Sequence, residues 1–442
     1  MKEYIDTKAP ALLNSILHEK VINHPNTQPK PELSGYMKHK NILDLGEILG
    51  PMDIIREGPN KRLVLKIRNF GDEKVGYKEE EFLEIYKVID NLLKEENISK
   101  FISEEFLVKT IFEWLVGKYR NTITNILLSD YILKECDKSI IDYKIYLPIL
   151  YLDSDKEFDI GNVHFQYLTE DYIKELSTKI AEDKREDYIE NLLVYKGQFW
   201  GNCVIVAEKE RAIEWAINDI TFSVDILRIA SPTVDFPNLP LYFDVDFRNI
   251  NQAKNEVLIQ NINDDANFFQ QHSRRSRPFE IVKGVWDYML KSEVRLLHQF
   301  ALKILNDKSE LESLIYNAIR NFSKALGNHD HHERITQIFT VLESLLLPND
   351  NAAIIDSVCK YLPKIISKNL EEREKIIETV KEMYSVRSAM MHHAKRKEFL
   401  SSNLVIIQRC TRALIVHLII HSTTKLTKKE ILKDIDDRIN RA

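Results

Sequence analysis

The residues best suited to chemistry lie in one stretch, YSVRSAMMHH, which holds Tyr384, Arg387, His392 and His393. A guanidinium can hold a nonbridging phosphate oxygen through two donors, and an imidazole with an ordinary pKa of about 6.5 moves a proton at neutral pH. That pairing suits a phosphodiester. In RNA the adjacent 2′-hydroxyl supplies the nucleophile, so the reaction needs no metal and leaves a 2′,3′-cyclic phosphate and a 5′-hydroxyl. Arg387 and His392 stand five positions apart near the end of an expected helix. At about 3.6 residues per turn four positions share a face, so the two meet in one groove only if the last turn loosens. The competing reading is a helix C-terminus, where Arg387, His392 and His393 simply favour the negative end of the dipole.

Two other clusters carry suitable side chains. GNHDHHE brings together His329, Asp330, His331, His332 and Glu333. These are metal-ligating types, but neighbours on a short loop cannot all converge on one ion and no H-E-x-x-H register occurs, so no metal is expected. A solvated loop opening the next helix is the simpler reading, and a loop beside the Arg387 and His392 groove is another. Arg274, Arg275 and Arg277 follow Phe268 and Phe269, a short basic and aromatic run that can contact phosphates and stack on bases, or form an ordinary interdomain loop. Lys395, Arg396 and Lys397 follow the histidines after Ala394 and are further candidates for RNA contact. No phosphate-binding loop, dinucleotide fingerprint or nucleophile elbow is present, and no cofactor is expected.

The elements that must position these residues are helical. From residue 286 onward the apolar spacing predicts one helix after another: 310–326, 332–347, 351–366, 370–392, 402–421 and 428–439. The region before it is mixed. KRLVLKIRNF reads as a strand, 80–96 and 104–119 as helices, IDYKIYLPILYLD as a strand, and FDIGNVHFQYLT as a hairpin turned at Gly161 and Asn162. A long helical pattern runs from Lys209 to about 229 and breaks at Ser231 and Pro232, whereas NHPNTQPKPELSG reads as loop. The expected fold class is therefore α+β: a mixed region over 1–138, an α+β region over 139–285 that is a candidate sensing or regulatory part, and an all-α bundle within 286–442.

Composition narrows the function classes. A chain of 442 residues with 44% hydrophobic and 29% charged residues is long enough for more than one domain and is not a disordered polymer. Its net charge of −6 argues against indiscriminate polyanion binding. The charge is uneven: residues 313–442 carry 21 Lys and Arg against 15 Asp and Glu, net +6, leaving −12 for the first 312. The split favours placing a nucleic-acid contact in the bundle, although a mild bias of this size also fits a solvated surface. Four separated cysteines, Cys136, Cys203, Cys359 and Cys410, suit a reducing compartment. No unbroken apolar run approaches the length of a membrane span and the start lacks a secretory core, so a cytoplasmic protein is expected.

With these residues in view, the C-terminal third resembles a HEPN domain, specifically the ApeA-like HEPN group. Arg387-Ser-Ala-Met-Met-His392 fits the R-x(4 to 6)-H motif, Tyr384-x-x-Arg387-Ser388 resembles its lead-in, and IFTVLESLL resembles the family helix that bears an acidic residue. The resemblance covers about 313–421. It implies a metal-independent endoribonuclease in which Arg387 and His392 are catalytic and Glu343 orients the arginine, with His393, Tyr384 and Ser388 as auxiliary groups. It also implies a homodimer with two motifs facing one cleft, and a toxin-like or antiphage role released by a phage-derived or cellular trigger. One departure is His393, where a glycine often follows the family histidine. Some members are noncatalytic, so a binding or dimerisation protein is the alternative implied by the same resemblance.

Overall fold

The computed structural model describes residues 1–20, 52–58, 62–70, 73–178, 181–193, 195–239, 241, 243–245, 255–260, 267–272, 279–303, 308–349 and 351–441. The chain is α+β with a helical C-terminal part. It divides into two compact units, one formed by Met1–Tyr143 and Ile205–Trp215, the other by Lys144–Val204 and Ala216–Ala442. The second unit takes in both the strand-rich middle of the chain and the C-terminal helices.

The first unit packs helices on a four-stranded antiparallel sheet of order β1-β4-β3-β2, with β1 Leu17–Lys20, β2 Met52–Glu57, β3 Leu63–Asn69 and β4 Glu73–Tyr77. Helix α1 (Lys2–Asn14), α2 (Glu79–Leu92), α3 (Glu104–Tyr119) and α4 (Leu128–Ser139) bury Leu12, Ile85, Ile89, Ile111, Phe112 and Leu128 with Val75 and Tyr77 of the sheet. Gly76 is required where β4 crosses β3, since a Cβ there would lie 2.1 Å from the Lys66 carbonyl oxygen. Helix α1 has no counterpart in the sequence reading. Its apolar residues Ile5, Ala9 and Leu12 recur at helical spacing, but Pro10 interrupts the pattern and hides it. The NHPNTQPKPELSG stretch lies outside the described residues.

The second unit holds a five-stranded sheet of order β10-β5-β9-β8-β7. Its strands are β5 (Ile141–Leu150), β7 (Phe158–Ile160), β8 (Val163–Tyr167), β9 (Phe199–Ala207) and β10 (Asp244–Val245), and β6 (Leu152–Ser154) lies between β5 and β7 in the chain. The β7–β8 hairpin turns at Gly161, whose φ of +60° favours glycine, as the sequence led us to expect. Between these strands and the bundle in chain order comes β11 (Asn255–Gln260), where EVLIQNI reads as strand-like, paired antiparallel with β12 (Asn267–His272), which the polar sequence disguised.

The bundle consists of α10 (Glu310–Gly327), α11 (His331–Leu346), α12 (Ile354–Ile366), α13 (Leu370–His393), α14 (Ser401–His421) and α15 (Lys428–Arg441), the numbering counting α5 (Glu170–Ser177), α6 (Glu182–Leu193), α7 (Lys209–Ala230), α8 (Lys283–Lys291) and α9 (Val294–Lys303) before it. Several helix starts are specified locally. Ser309 and Glu312 form a capping box, Asp330 accepts from the His332 amide, and Asn369 accepts from the Glu372 amide. Inside, Phe322, Phe339, Leu342, Leu362, Val380, Leu404 and Leu414 are fully buried. Among the described helices, α14 alone is long and apolar enough to cross a membrane by length and composition, with a mean hydropathy of 1.5, a feature that counting unbroken apolar runs overlooks. Just over half of it, 56%, is buried in the bundle, which is how a core helix behaves.

Candidate functional site

Helices α11 and α13 pack together and bring Glu343 to Arg387. The arginine Nη2 lies 2.8 Å from Glu343 Oε1, with the two side chains only 14% and 22% exposed. The approach is an ion pair without hydrogen-bond alignment. Both Glu343 Oε1 and Arg387 Nε are buried and have no hydrogen-bond partner among the described residues. Burial pushes the Glu343 carboxyl above its ordinary pKa, against the opposing pull of Arg387. The guanidinium carbon also sits 5.4 Å from the centre of the Tyr384 ring, which Phe339 holds edge-on at 5.5 Å. Arg387 is thus fixed by a carboxylate and an aromatic face while keeping a donor unspent.

The histidines lie elsewhere on the helix. Helix α13 stays helical through His393, so the last turn does not loosen to carry His392 toward Arg387. Five residues at 3.6 per turn put His392 about 140° around the axis from Arg387, and His393 lies about 120° the other way. Both are exposed, and their rings lie 6.4 Å apart. Within one chain, then, the structure unites Glu343, Arg387 and Tyr384 and leaves His392 and His393 on a different face. Ser388 lies half-buried on α13.

Helix α13 ends on Ala394, whose φ of +50° is left-handed, and the Lys395 and Ala394 amides return to the Ala389 and Met390 carbonyls. That turn folds the basic segment back. Lys397 donates to Ser385 Oγ at 2.7 Å, Arg396 pairs with Asp330, and His332 Nε2 meets the Lys397 carbonyl at 3.0 Å while its ring packs on Phe399. Lys395, Arg396 and Lys397 are all exposed. The GNHDHHE loop therefore lies beside the segment that leaves His392. Among the described residues no group of three His, Cys, Asp or Glu side chains could hold a metal ion. Arg274, Arg275 and Arg277 lie outside the described residues.

Sequence reasoning missed a polar group beneath this loop. Arg334 is fully buried with no carboxylate partner among the described residues, and burial lowers its pKa to about 10. It donates to the Asn328 carbonyl at 2.7 and 2.9 Å, to the Pro237 carbonyl at 2.9 Å and to Gln408 Oε1 at 3.3 Å. Gln408, also fully buried, donates onward to the carbonyls of Thr233 and Val234. A signal was present: Arg334 and Gln408 occupy apolar-stripe positions, before Ile338 on α11 and between Leu404 and Thr411 on α14. No family model, no curated protein and no solved structure matches the chain.

Proposed function

We propose that this chain is a metal-independent RNA endonuclease of the HEPN type, acting in the cytoplasm as a homodimer and serving as a toxin-like or antiphage effector. The observation that carries the reading is the Glu343 and Arg387 pair, held by α11 and α13 at 2.8 Å with Arg387 Nε unpartnered. A guanidinium held in this way is oriented in advance, which is the condition for electrostatic stabilisation of the transition state, and because Nε is itself buried the proposal requires the groove to open before a phosphodiester reaches it. In the proposed reaction the 2′-oxygen attacks phosphorus, its proton leaves to a base, and the 5′-oxygen departs as a hydroxyl. His392 is the acid or base, and Arg387 neutralises the charge growing on the nonbridging oxygens. Because His392 lies about 140° from Arg387 on its own helix, the proposal requires the imidazole to come from a second copy across a two-fold axis. His393 is the alternative proton carrier, and the α+β regions before residue 286 are proposed to restrain the site or to recognise a trigger.

The separation of His392 from Arg387 also favours a second reading, a noncatalytic binding or dimerisation protein in which the histidines only complement the helix dipole. Incubation with total cellular RNA in excess EDTA separates the two. The nuclease reading expects discrete cleavage with cyclic phosphate ends, abolished in folded Arg387→Ala and His392→Ala proteins. Cleavage unchanged in both variants overturns the assignment.

A further inference from the structure

Burying an arginine away from any carboxylate is costly, so the contacts of Arg334 identify what the fold must hold still. Arg334 and Gln408 tie three pieces of backbone together: the loop after α7 through the carbonyls of Thr233, Val234 and Pro237, the start of α11 through Asn328, and α14 through Gln408 itself. On the loop fixed in this way, Phe236 is 62% exposed. Its backbone is not loose, because its amide donates to the Pro232 carbonyl and its own carbonyl accepts from Leu239. A large aromatic side chain is thus presented to solvent on a braced turn.

Two exposed arginines are tied to the elements that this network joins. Arg409, 58% exposed, reaches Asp235 through Nε, and Asp235 is also held by the Tyr288 hydroxyl, which accepts from Arg412 at 3.0 Å. Across the start of α11, Arg396, 62% exposed, engages Asp330 through one terminal nitrogen. Neither carboxylate is devoted to its arginine, since Asp235 also accepts from Tyr288 and Asp330 caps α11. The arginine ends of both pairs are exposed, and Asp235 keeps the Tyr288 hydroxyl and Asp330 keeps the His332 amide when a phosphate draws the guanidinium away. Arg396 belongs to the segment that leaves His392 at the end of α13.

We propose that Phe236, Arg409 and Arg396 form a docking strip for single-stranded RNA, one base stacking on Phe236 and the phosphates on either side meeting the arginines. The proposal rests on the RNA-cleavage reading above and names how that site would take its substrate. A duplex keeps its bases stacked on one another, so an exposed aromatic ring selects an unpaired strand.

The test measures equilibrium binding of a labelled single-stranded RNA of roughly a dozen nucleotides to full-length His392→Ala protein over a range of salt concentrations. Phe236→Ala should weaken binding by about 5- to 100-fold with the salt slope unchanged, and Phe236→Tyr should restore it. Arg409→Ala and Arg396→Ala should each lower the salt slope by about one. Unchanged affinity in Phe236→Ala, equal affinity for a duplex of the same length, or no binding by the parent chain overturns the strip. Its fate is separable from that of the nuclease. Cleavage in EDTA that depends on Arg387 together with Phe236-independent binding sinks the strip alone, whereas Phe236-dependent binding with cleavage unchanged in Arg387→Ala and His392→Ala supports the strip and sinks the nuclease assignment.

Discussion

Arg387 and Glu343 show how a pair can be held close and still leave chemistry available. Their charges meet at 2.8 Å, yet Arg387 Nε stays unpartnered. Glu343→Ala should strand a largely buried guanidinium and cost about 2 kcal/mol in a urea titration, less than a fully enclosed pair because both groups keep some exposure. A second buried acid offers a test in pH. Burial raises the Asp219 carboxyl on α7 to about 7, with Lys308 pulling the other way, and its Oδ2 has no hydrogen-bond partner among the described residues. The folded state therefore holds a proton that the unfolded chain releases near its ordinary value of 3.8. Stability from this group is fully present below that value, falls as pH rises toward 7, and stays reduced above it. Asp219→Asn should consequently unfold at higher urea than the parent at pH 8, with the gap narrowing at pH 5; a constant gap would contradict the assignment.

At the scale of elements, the end of α13 is the most informative. Ala394 takes a left-handed conformation that costs a Cβ-bearing residue about 1–2 kcal/mol, so Ala394→Gly should raise stability by about 0.5–1 kcal/mol after the entropy of glycine is counted, measured as a rise in Tm. Arg334→Ala should do the reverse, lowering stability by about 3 kcal/mol, because the carbonyls of Asn328 and Pro237 lose their shared donor inside the fold. The bundle helices were legible because strong apolar periodicity coincided with caps at Ser309, Asp330 and Asn369. The Gly161 turn was legible for a similar reason, a glycine where only a positive φ closes the hairpin. Helix α1 was not, since Pro10 masked its periodicity, and neither was β12, whose polar sequence NFFQQH pairs through backbone alone as far as the pattern reveals. At the site, Arg387 and Glu343 were legible as a motif, but the angle separating His392 from Arg387 depended on whether the last turn stayed regular. Arg334 and Gln408 escaped notice because polar residues on an apolar stripe acquire meaning only when their distant carbonyl partners are known.

Across the whole molecule charge is unevenly divided, net +6 over 313–442 against −12 before it, a bias in the direction the proposed RNA cleavage calls for. The exposed cations Lys395, Arg396, Lys397 and Arg409 lie on the bundle, and α14 sits within its core despite an apolar length sufficient for a membrane. A lone chain separates Arg387 from His392, so the account stands on a composite site shared by two copies. Mixing Arg387→Ala protein with His392→Ala protein tests this most directly, with RNA cleavage in EDTA as the readout. Each variant alone should be inactive, and subunit exchange should restore cleavage in the mixture because one heterodimer cleft regains an intact Arg387 facing an intact His392. A mixture as inactive as its components, under conditions where the parent cuts and exchange is verified, would contradict the shared site.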